Sequence, residues 1–169
     1  TLYTKQRIKY LIKVNKNFIP YHFTPYFDTS NFEYIEPSQR KYDHLRFGRM
    51  SRASDAKYSK NQFKIYSSCK FKKEGIVMGW EPRLGSKFDI YDLAHSDCIF
   101  LKPNAISRQE FYKRCNVFSM STTTFENLPR VGFESMASGS VLVVDNKPAW
   151  KIEVENGKTG FLCDTVDDF

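Results

Sequence analysis

Two glutamates, Glu126 and Glu134, lie eight positions apart around the start of a predicted helix. Glu126 lies in a loop after a predicted strand, and Glu134 lies about one turn into the helix that follows. The start of this helix, near residues 128–131, offers unpaired backbone N–H groups and the positive end of the helix dipole, which together can bind a phosphate. Carboxylates accept hydrogen bonds from sugar hydroxyls. The pattern predicts a diphosphate at the helix start, flanked by the two glutamates.

The elements that position these glutamates alternate between short apolar strands and helices from Leu45 onward. This alternation favours an α/β domain with a Rossmann-like parallel sheet and helices on both faces. Ligands of such sheets bind beyond the carboxyl ends of the strands, which is where the loop of Glu126 is expected. Strands are predicted over 45–47 (ending at Gly48), 75–79, 97–101, 116–120, 141–144 and 160–163, and helices over 59–69, 107–114, 129–138 and 148–155.

Local signals define two of the helices and one of the strands. Ser107 with Glu110 three residues later forms a capping box, which predicts a helix start at Ser107. Pro129 suits the first turn of its helix, and Gly139 suits the position just past its end. Residues 141–144 are apolar and almost entirely β-branched, which predicts a strand that is buried on both faces.

The first 44 residues differ in character from the rest of the chain. Residues 5–14 carry apolar side chains at helical spacing, which predicts a short amphipathic helix. Residues 15–43 are aromatic and contain three prolines, a composition expected for an irregular segment that wraps a surface or joins domains. The sequence therefore predicts a division into a lead-in, 1–44, and a folded domain, 45–169, and the way the chain starts and stops suggests a fragment of a larger protein.

The cysteines and the apolar runs limit the kind of site and the compartment. The four cysteines form no C-x-x-C pair and do not cluster with the three histidines, so the sequence favours neither a zinc site nor a disulfide framework. Reduced thiols predict a cytoplasmic protein. No apolar run approaches the ~20 residues that a membrane-spanning helix needs.

The formal net charge of +7 leaves several kinds of partner open. A solvated basic surface accounts for it, and so does attraction to phosphorylated ligands or to an anionic membrane face. Charge alone also fits nucleic acid. However, the sequence has no zinc-finger spacing, no RRM signature and no basic helical stripe, so no nucleic-acid partner is predicted.

Residues 126–163 resemble the retaining glycosyltransferases of the GT-B fold, family 4. The shared pattern is a glutamate, seven residues and a second glutamate, followed by small residues at the helix end and a V-V strand. A later turn that begins at Glu153 and ends in G-x-T-G-F-L also recurs in that family, and G-R-M-S-R at 48–52 is similar to the G-R-L-S strand end of the family. The resemblance runs from about residue 45 to the end, and more weakly back to 26–28.

The resemblance implies that the chain is the donor-binding half of a two-domain enzyme. In this interpretation Glu134 accepts hydrogen bonds from the ribose hydroxyls of a nucleotide, and Glu126 lies beside the transferred sugar. Arg49 contacts the donor diphosphate. A second basic residue follows in the family, and Lys57 is the choice here, with Arg52 as its rival.

Further donor contacts are implied at three other places. Base recognition falls near Phe100, Leu101 and Lys102, after the strand that ends there, and Gly48 belongs to the G-R strand end. Family members often have glycine where this chain has Asn127 and Pro129. Because Pro129 lacks an N–H, one phosphate donor is lost there, and the guanidinium fork of Arg130 offers a replacement. The stretch that presents donors to the phosphates is Asn127, Leu128, Pro129 and Arg130.

The implied reaction moves a hexose from a UDP-, GDP- or ADP-linked donor to a glycan, lipid or protein acceptor with retention of configuration. The other domain holds the acceptor, so the chain alone is expected to transfer little sugar. No Asp-x-Asp motif is present, and no metal or other cofactor is expected. The full-length enzyme could make peripheral contact with the inner face of the membrane. Alternatives are a non-catalytic nucleotide-sugar-binding module and an NAD-dependent enzyme, although no G-x-G-x-x-G follows the first strand.

Overall fold

The computed structural model describes residues 9–11, 13, 14, 17, 27–40, 43–124 and 130–169. Within these residues a six-stranded, wholly parallel sheet forms the centre of the molecule. The strands are β1 Leu45–Met50, β2 Lys73–Met78, β3 Cys98–Leu101, β4 Val117–Met120, β5 Val141–Asp145 and β6 Phe161–Cys163. Their order in the sheet is β3-β2-β1-β4-β5-β6, so the direction of winding reverses between β1 and β4.

Helices cover both faces of this sheet and create two apolar cores. The helices that cover the sheet are α1 Gln62–Ser68, α2 Ile90–Ala94, α3 Arg108–Lys113, α4 Arg130–Ala137 and α5 Trp150–Glu153, with 3-10 turns at Pro37–Gln39, Asp55–Lys57 and Pro82–Lys87. One core lies under α1 and α2 and includes Phe63 and Val77. The other lies under α3, α4 and α5 and includes Phe118 and Trp150. The predicted fold class, a Rossmann-like sheet with helices on both faces, is therefore confirmed.

Two predictions about the strands were wrong. β1 continues to Met50 instead of ending at Gly48, because the polar side chain of Arg49 is buried with partners of its own. β5 is not buried on both faces. Leu142 and Val144 are fully buried, whereas Val141 on the other face remains 44% exposed.

The predicted helix signals agree with the structure where it describes them. The Ser107 hydroxyl accepts a hydrogen bond from the backbone N–H of Glu110 at 3.1 Å, which confirms the cap of α3. Gly139 follows α4 with a φ of +82°, as expected for a helix-ending glycine. The strand and helix patterns of the sequence did not predict α2. Its signal was Asp89, whose carboxylate accepts from the backbone of Tyr91 at 2.8 Å.

The lead-in segment contacts the domain along residues 27–40. Phe32 packs against the core beside Tyr112, with ring centroids 6.0 Å apart. Of the predicted helix over 5–14, residues 9–11, 13 and 14 are helical, and the rest lies outside the described residues. The predicted domain boundary at 44/45 stays a prediction. In the part of the chain that the structure describes, no helix has the length and apolar character needed to cross a bilayer.

Arg40 ties the lead-in to the ends of two helices. Its guanidinium donates to the carbonyl of Tyr112 at 3.0 Å, and also to the carbonyls of Cys115 and Ser138. These oxygens belong to the carboxyl ends of α3 and α4, where the helix dipole favours a cation.

Replacing Arg40 with methionine is expected to lower the free energy of unfolding by about 2 kcal/mol, because several buried carbonyls lose a charged donor. Urea denaturation followed by circular dichroism measures the change. Gln39→Met alters an exposed neighbour and should cost much less. If the two variants lose equal stability, the hydrogen bonds of Arg40 to the helix ends make no specific contribution to the free energy of unfolding.

Candidate functional site

A cleft of about 550 Å³ opens at the carboxyl ends of β1, β2 and β4. The sheet reverses its winding between β1 and β4, and open α/β sheets bind their ligands at such a point. The floor consists of residues at the strand ends: Met50, Ser51, Met78, Gly79 and Met120.

Four cationic side chains line the walls of this cleft: Arg52, Lys57, Arg108 and Arg130. Among the described residues that line it, none is acidic. Arg130 is the first residue of α4, so its guanidinium lies beside the amino-terminal end of a helix. The charge pattern suits an anion with several oxygens, such as a diphosphate.

The loop over 51–58, which carries Arg52 and Lys57, is fixed by hydrogen bonds to its backbone. Arg83 donates to one carbonyl of this loop at 2.5 Å. Two further cations, Arg49 and Lys87, donate to others. Because the loop carbonyls are engaged, the loop presents its basic side chains from a rigid backbone. The accepting carbonyls are those of Ala53, Asp55, Lys57 and Tyr58.

Arg49 lies beneath the cleft and is not part of its lining. It is 0% exposed. Its Nε donates to Gln62 Oε1 and its Nη1 to Ser51 Oγ, both at 2.8 Å, and its guanidinium carbon lies 3.5 Å from the centroid of the Tyr58 ring. Burial lowers the pKa of this guanidinium from its usual value. Its Nη2 donates to the carbonyl of Lys57, so these contacts hold the loop that carries Lys57, and the predicted contact of Arg49 with a diphosphate stays a prediction.

Glu134 is 3% exposed and lies on α4, facing α3. Its Oε1 accepts from Arg108 Nη1 at 2.9 Å, and its Oε2 lies 2.9 Å from the Tyr112 hydroxyl. Burial, followed by the neighbouring Glu134 carboxylate, raises the pKa of Tyr112 well above its usual value. Tyr112 therefore remains a neutral hydrogen-bond donor, and its single hydroxyl proton has two acceptors, Glu134 Oε2 and the carbonyl oxygen of Val131 at 3.0 Å.

A second cavity of about 460 Å³ adjoins the cleft and contains Glu134. The lead-in forms one wall and the starts of α3 and α4 form the other. Arg108 and Arg130 line both cavities, so the cavities meet at these two arginines. The remaining lining consists of Phe27, Asp28, Asn31, Phe32 and Gln109.

The loop that leads from β4 towards Glu126 is fixed at its beginning by Asp145. This carboxylate accepts from the Ser121 hydroxyl and from the Thr122 backbone N–H, both at 2.7 Å. Lys147 lies 3.1 Å from the same carboxylate. Glu126, Asn127, Leu128 and Pro129 themselves lie outside the described residues, so their predicted roles stay predictions.

The structure brings some of the predicted residues to the site and leaves others in the core. Lys57 and Arg130 line the cleft together with Arg52, the rival of Lys57, and Glu134 lines the adjoining cavity. Neither lining includes Arg49, Gly48 or Leu101, and their predicted donor contacts stay predictions.

The surroundings of two of these residues have a structural explanation. A Cβ atom at Gly48 would lie 2.2 Å from Cys115 Sγ, so close packing of α3 on β1 requires glycine there. The carbonyl of Leu101 accepts from the backbone N–H groups of Gly79 and Trp80, both at 3.0 Å, and so closes the turn after β2.

Sequence reasoning missed Arg108 as a site residue. Arg108 and Tyr112 lie four positions apart on α3 and therefore on one face of that helix. This spacing was visible in the sequence, but the carboxylate that both residues contact comes from another helix.

Among the residues that the structure describes, no group of three or more His, Cys, Asp or Glu side chains could hold a metal ion. The prediction that the chain needs no metal stays a prediction.

Comparisons with known proteins give matches at the level of structure. No protein-family model matches the sequence, and neither does any curated protein. Among solved structures, HepE from Anabaena in complex with UDP-glucose superimposes with a TM-score of 0.61 at 21% identity, over 72% of this chain and 35% of HepE. The pneumococcal O-GlcNAc transferase GtfA, in complex with UDP and GlcNAc, gives 0.68 at 14% identity, over 99% of this chain and 34% of GtfA. The lipopolysaccharide outer core galactosyltransferase WaaB gives 0.65 at 15% identity, over 84% of this chain and 42% of WaaB.

These matches show that the chain has the fold of one half of a GT-B glycosyltransferase. The chain spans about a third of the length of HepE and of GtfA.

Proposed function

We propose that this chain is the donor-binding half of a retaining, family 4 glycosyltransferase that uses a nucleoside-diphosphate sugar. The observation that carries the proposal is the cleft at the strand-order reversal, where four cations line one cavity and Glu134 lines the next. A nucleoside diphosphate combines two phosphates with a ribose diol. Cations suit the phosphates and a carboxylate suits the diol. The solved structures with this fold include HepE with UDP-glucose and GtfA with UDP, which supports UDP as the first nucleotide to test.

The proposed roles follow from where the side chains lie. Glu134 accepts hydrogen bonds from the ribose hydroxyls. Arg130, together with Lys57 or Arg52, binds the diphosphate. The role of Glu126, beside the transferred sugar, rests on the family resemblance of the sequence alone, because Glu126 lies outside the described residues. When the bond to the sugar breaks, negative charge accumulates on the leaving diphosphate, and fixed cations stabilise that charge without requiring a metal.

The finer parts of the proposal concern the complete enzyme. A hexose passes from a UDP-, GDP- or ADP-linked donor to a glycan, lipid or protein acceptor held by a second domain. Polysaccharide or glycoconjugate synthesis in the cytoplasm, or at the inner face of the membrane, fits such a reaction. Efficient transfer needs the acceptor held against the donor across a cleft between the domains.

Replacing Glu134 with glutamine is expected to weaken nucleoside diphosphate binding about ten- to a hundredfold, because the ribose loses a charged acceptor. Isothermal titration calorimetry with UDP, GDP, ADP and CDP, first without metal and then with Mg²⁺, measures the change and identifies the base. Glutamine keeps the shape of the side chain and retains an oxygen that can accept from Arg108.

The control is Glu110→Gln on α3, whose carboxylate pairs with the exposed Arg114 away from both cavities. It should bind like the parent chain. If no diphosphate binds the parent chain, or if Glu134→Gln binds as well as Glu110→Gln, the proposed donor site is wrong.

A further inference from the structure

Arg108 occupies the boundary between the two cavities. It is the residue after the Ser107 cap of α3, and its side chain is 53% exposed. It lines the four-cation cleft as well as the cavity that contains Glu134. No feature of the sequence pattern assigned it a role.

The hydrogen bonds of Arg108 account for only part of its guanidinium. A guanidinium carries five N–H donors in a rigid planar fork. Within the part of the chain that the structure describes, one of them donates to Glu134 Oε1 at 2.9 Å. The other donors belong to a half-exposed side chain that borders the cationic cleft, so they can reach an anion there while the bond to Glu134 persists.

The covalent geometry of a nucleotide matches this arrangement. The ribose diol and the first phosphate of a nucleoside diphosphate are separated by a few bonds of the same sugar. A carboxylate that binds the diol therefore lies close to the first phosphate. An arginine bonded to that carboxylate on one side is placed to bind the phosphate on the other, and its charge also balances the buried Glu134.

We infer that Arg108 is a phosphate-binding residue of the donor site, which couples the ribose-binding carboxylate to the diphosphate. The inference rests on the proposed function of the cleft and adds a residue that determines specificity. Arg108 contributes to the affinity for nucleoside diphosphates and contributes little to the affinity for the corresponding nucleosides. A residue that only neutralised Glu134 would affect both to the same extent.

The test compares three ligands on three forms of the chain. UDP, uridine and inorganic pyrophosphate are titrated into the unaltered chain, Arg108→Ala and Arg114→Ala, by calorimetry for UDP and by ligand-observed NMR for the weaker ligands. Arg114 lies just past the other end of α3, is comparably exposed and pairs with Glu110, so it provides a matched loss of charge outside the cavities. Thermal unfolding of each variant verifies that it folds. If calorimetry selects another base, its diphosphate and nucleoside replace UDP and uridine.

Arg108→Ala is expected to weaken the binding of UDP and of pyrophosphate about tenfold or more, and the binding of uridine less than about threefold. Arg108→Lys should restore part of the UDP affinity, because it keeps the charge but loses the fork. Equal losses for UDP and uridine, or a loss no larger than that of Arg114→Ala, would overturn the role of Arg108 and leave the proposed function intact. Failure of the unaltered chain to bind any nucleoside diphosphate would overturn both.

Discussion

Replacing Arg49 with methionine is expected to lower the free energy of unfolding by about 3 kcal/mol or more. Methionine fills much of the same space but supplies none of the donors that Gln62, Ser51 and the carbonyl of Lys57 receive from Arg49. The face of Tyr58 also loses a cation 3.5 Å from its ring centroid, an interaction worth about 1–2 kcal/mol when it is shielded from water. Because the variant no longer buries a charge, it regains part of the desolvation free energy of the guanidinium. The expected loss of stability is therefore smaller than the sum of the lost interactions.

Chemical denaturation at equilibrium measures this change, with Arg114→Met as the control. Arg114 is exposed and pairs with Glu110 one turn earlier, a type of surface pair worth only a few tenths of a kcal/mol. If Arg49→Met and Arg114→Met unfold at the same denaturant concentration, Arg49 does not stabilise the fold in the way its contacts imply.

The same variant separates the two roles considered for Arg49. If Arg49 positions the loop over 51–58, the loss of stability should come with a more mobile loop, seen as faster amide hydrogen exchange in those residues. If Arg49 instead binds the diphosphate directly, as the family resemblance implies, the substitution should reduce the free energy of UDP binding by far more than the free energy of unfolding. The burial of Arg49 and its bonds to Gln62, Ser51 and Lys57 favour the first result.

The fold could be predicted from the sequence because its signals are local. Strand and helix patterns repeat along the chain, and helix caps such as Ser107 and Gly139 depend on neighbours within a few residues. The same locality explains the errors. The end of β1 was misplaced because Arg49 is satisfied by Gln62, which belongs to another element. The burial of Val141 depends on what covers that face of the sheet, which no pattern within β5 reveals.

The candidate site was predictable only in part, for a related reason. Glu134 was predicted at the binding edge from its position about one turn into a helix that follows a strand, whereas Lys57 and Arg130 were predicted through the family resemblance. Arg108 also begins a helix after a strand, but its contact with Glu134 at 2.9 Å depends on how α3 and α4 lie relative to each other. A contact of this kind is a property of helix packing, and a single sequence does not specify it.

The turn after β2 is expected to tolerate no side chain, and Gly79→Ala should lower the free energy of unfolding by about 3 kcal/mol or more. Gly79 has a φ of +93°, which strains any residue that carries a Cβ. A Cβ at this position would also lie 1.7 Å from the carbonyl oxygen of Ser51. Because the obstacle is backbone, relief requires β1 and β2 to move apart at the floor of the cleft.

Gly157→Ala is the matched control for this prediction. Gly157 has a similar φ of +78°, but a Cβ there would meet nothing within 4 Å. Gly157→Ala should therefore lower the free energy of unfolding only by the conformational strain, about 1 kcal/mol. The difference between the two variants in urea denaturation isolates the steric part, and equal losses would mean that the strand ends move apart without cost.

Since Gly79 and Ser51 both line the cleft, a Gly79→Ala chain that still folds should bind UDP more weakly, whereas Gly157→Ala should bind it like the parent. This comparison connects the geometry of the strand ends with the proposed function. Only a ligand that binds at the floor of the cleft would lose affinity in Gly79→Ala and keep it in Gly157→Ala.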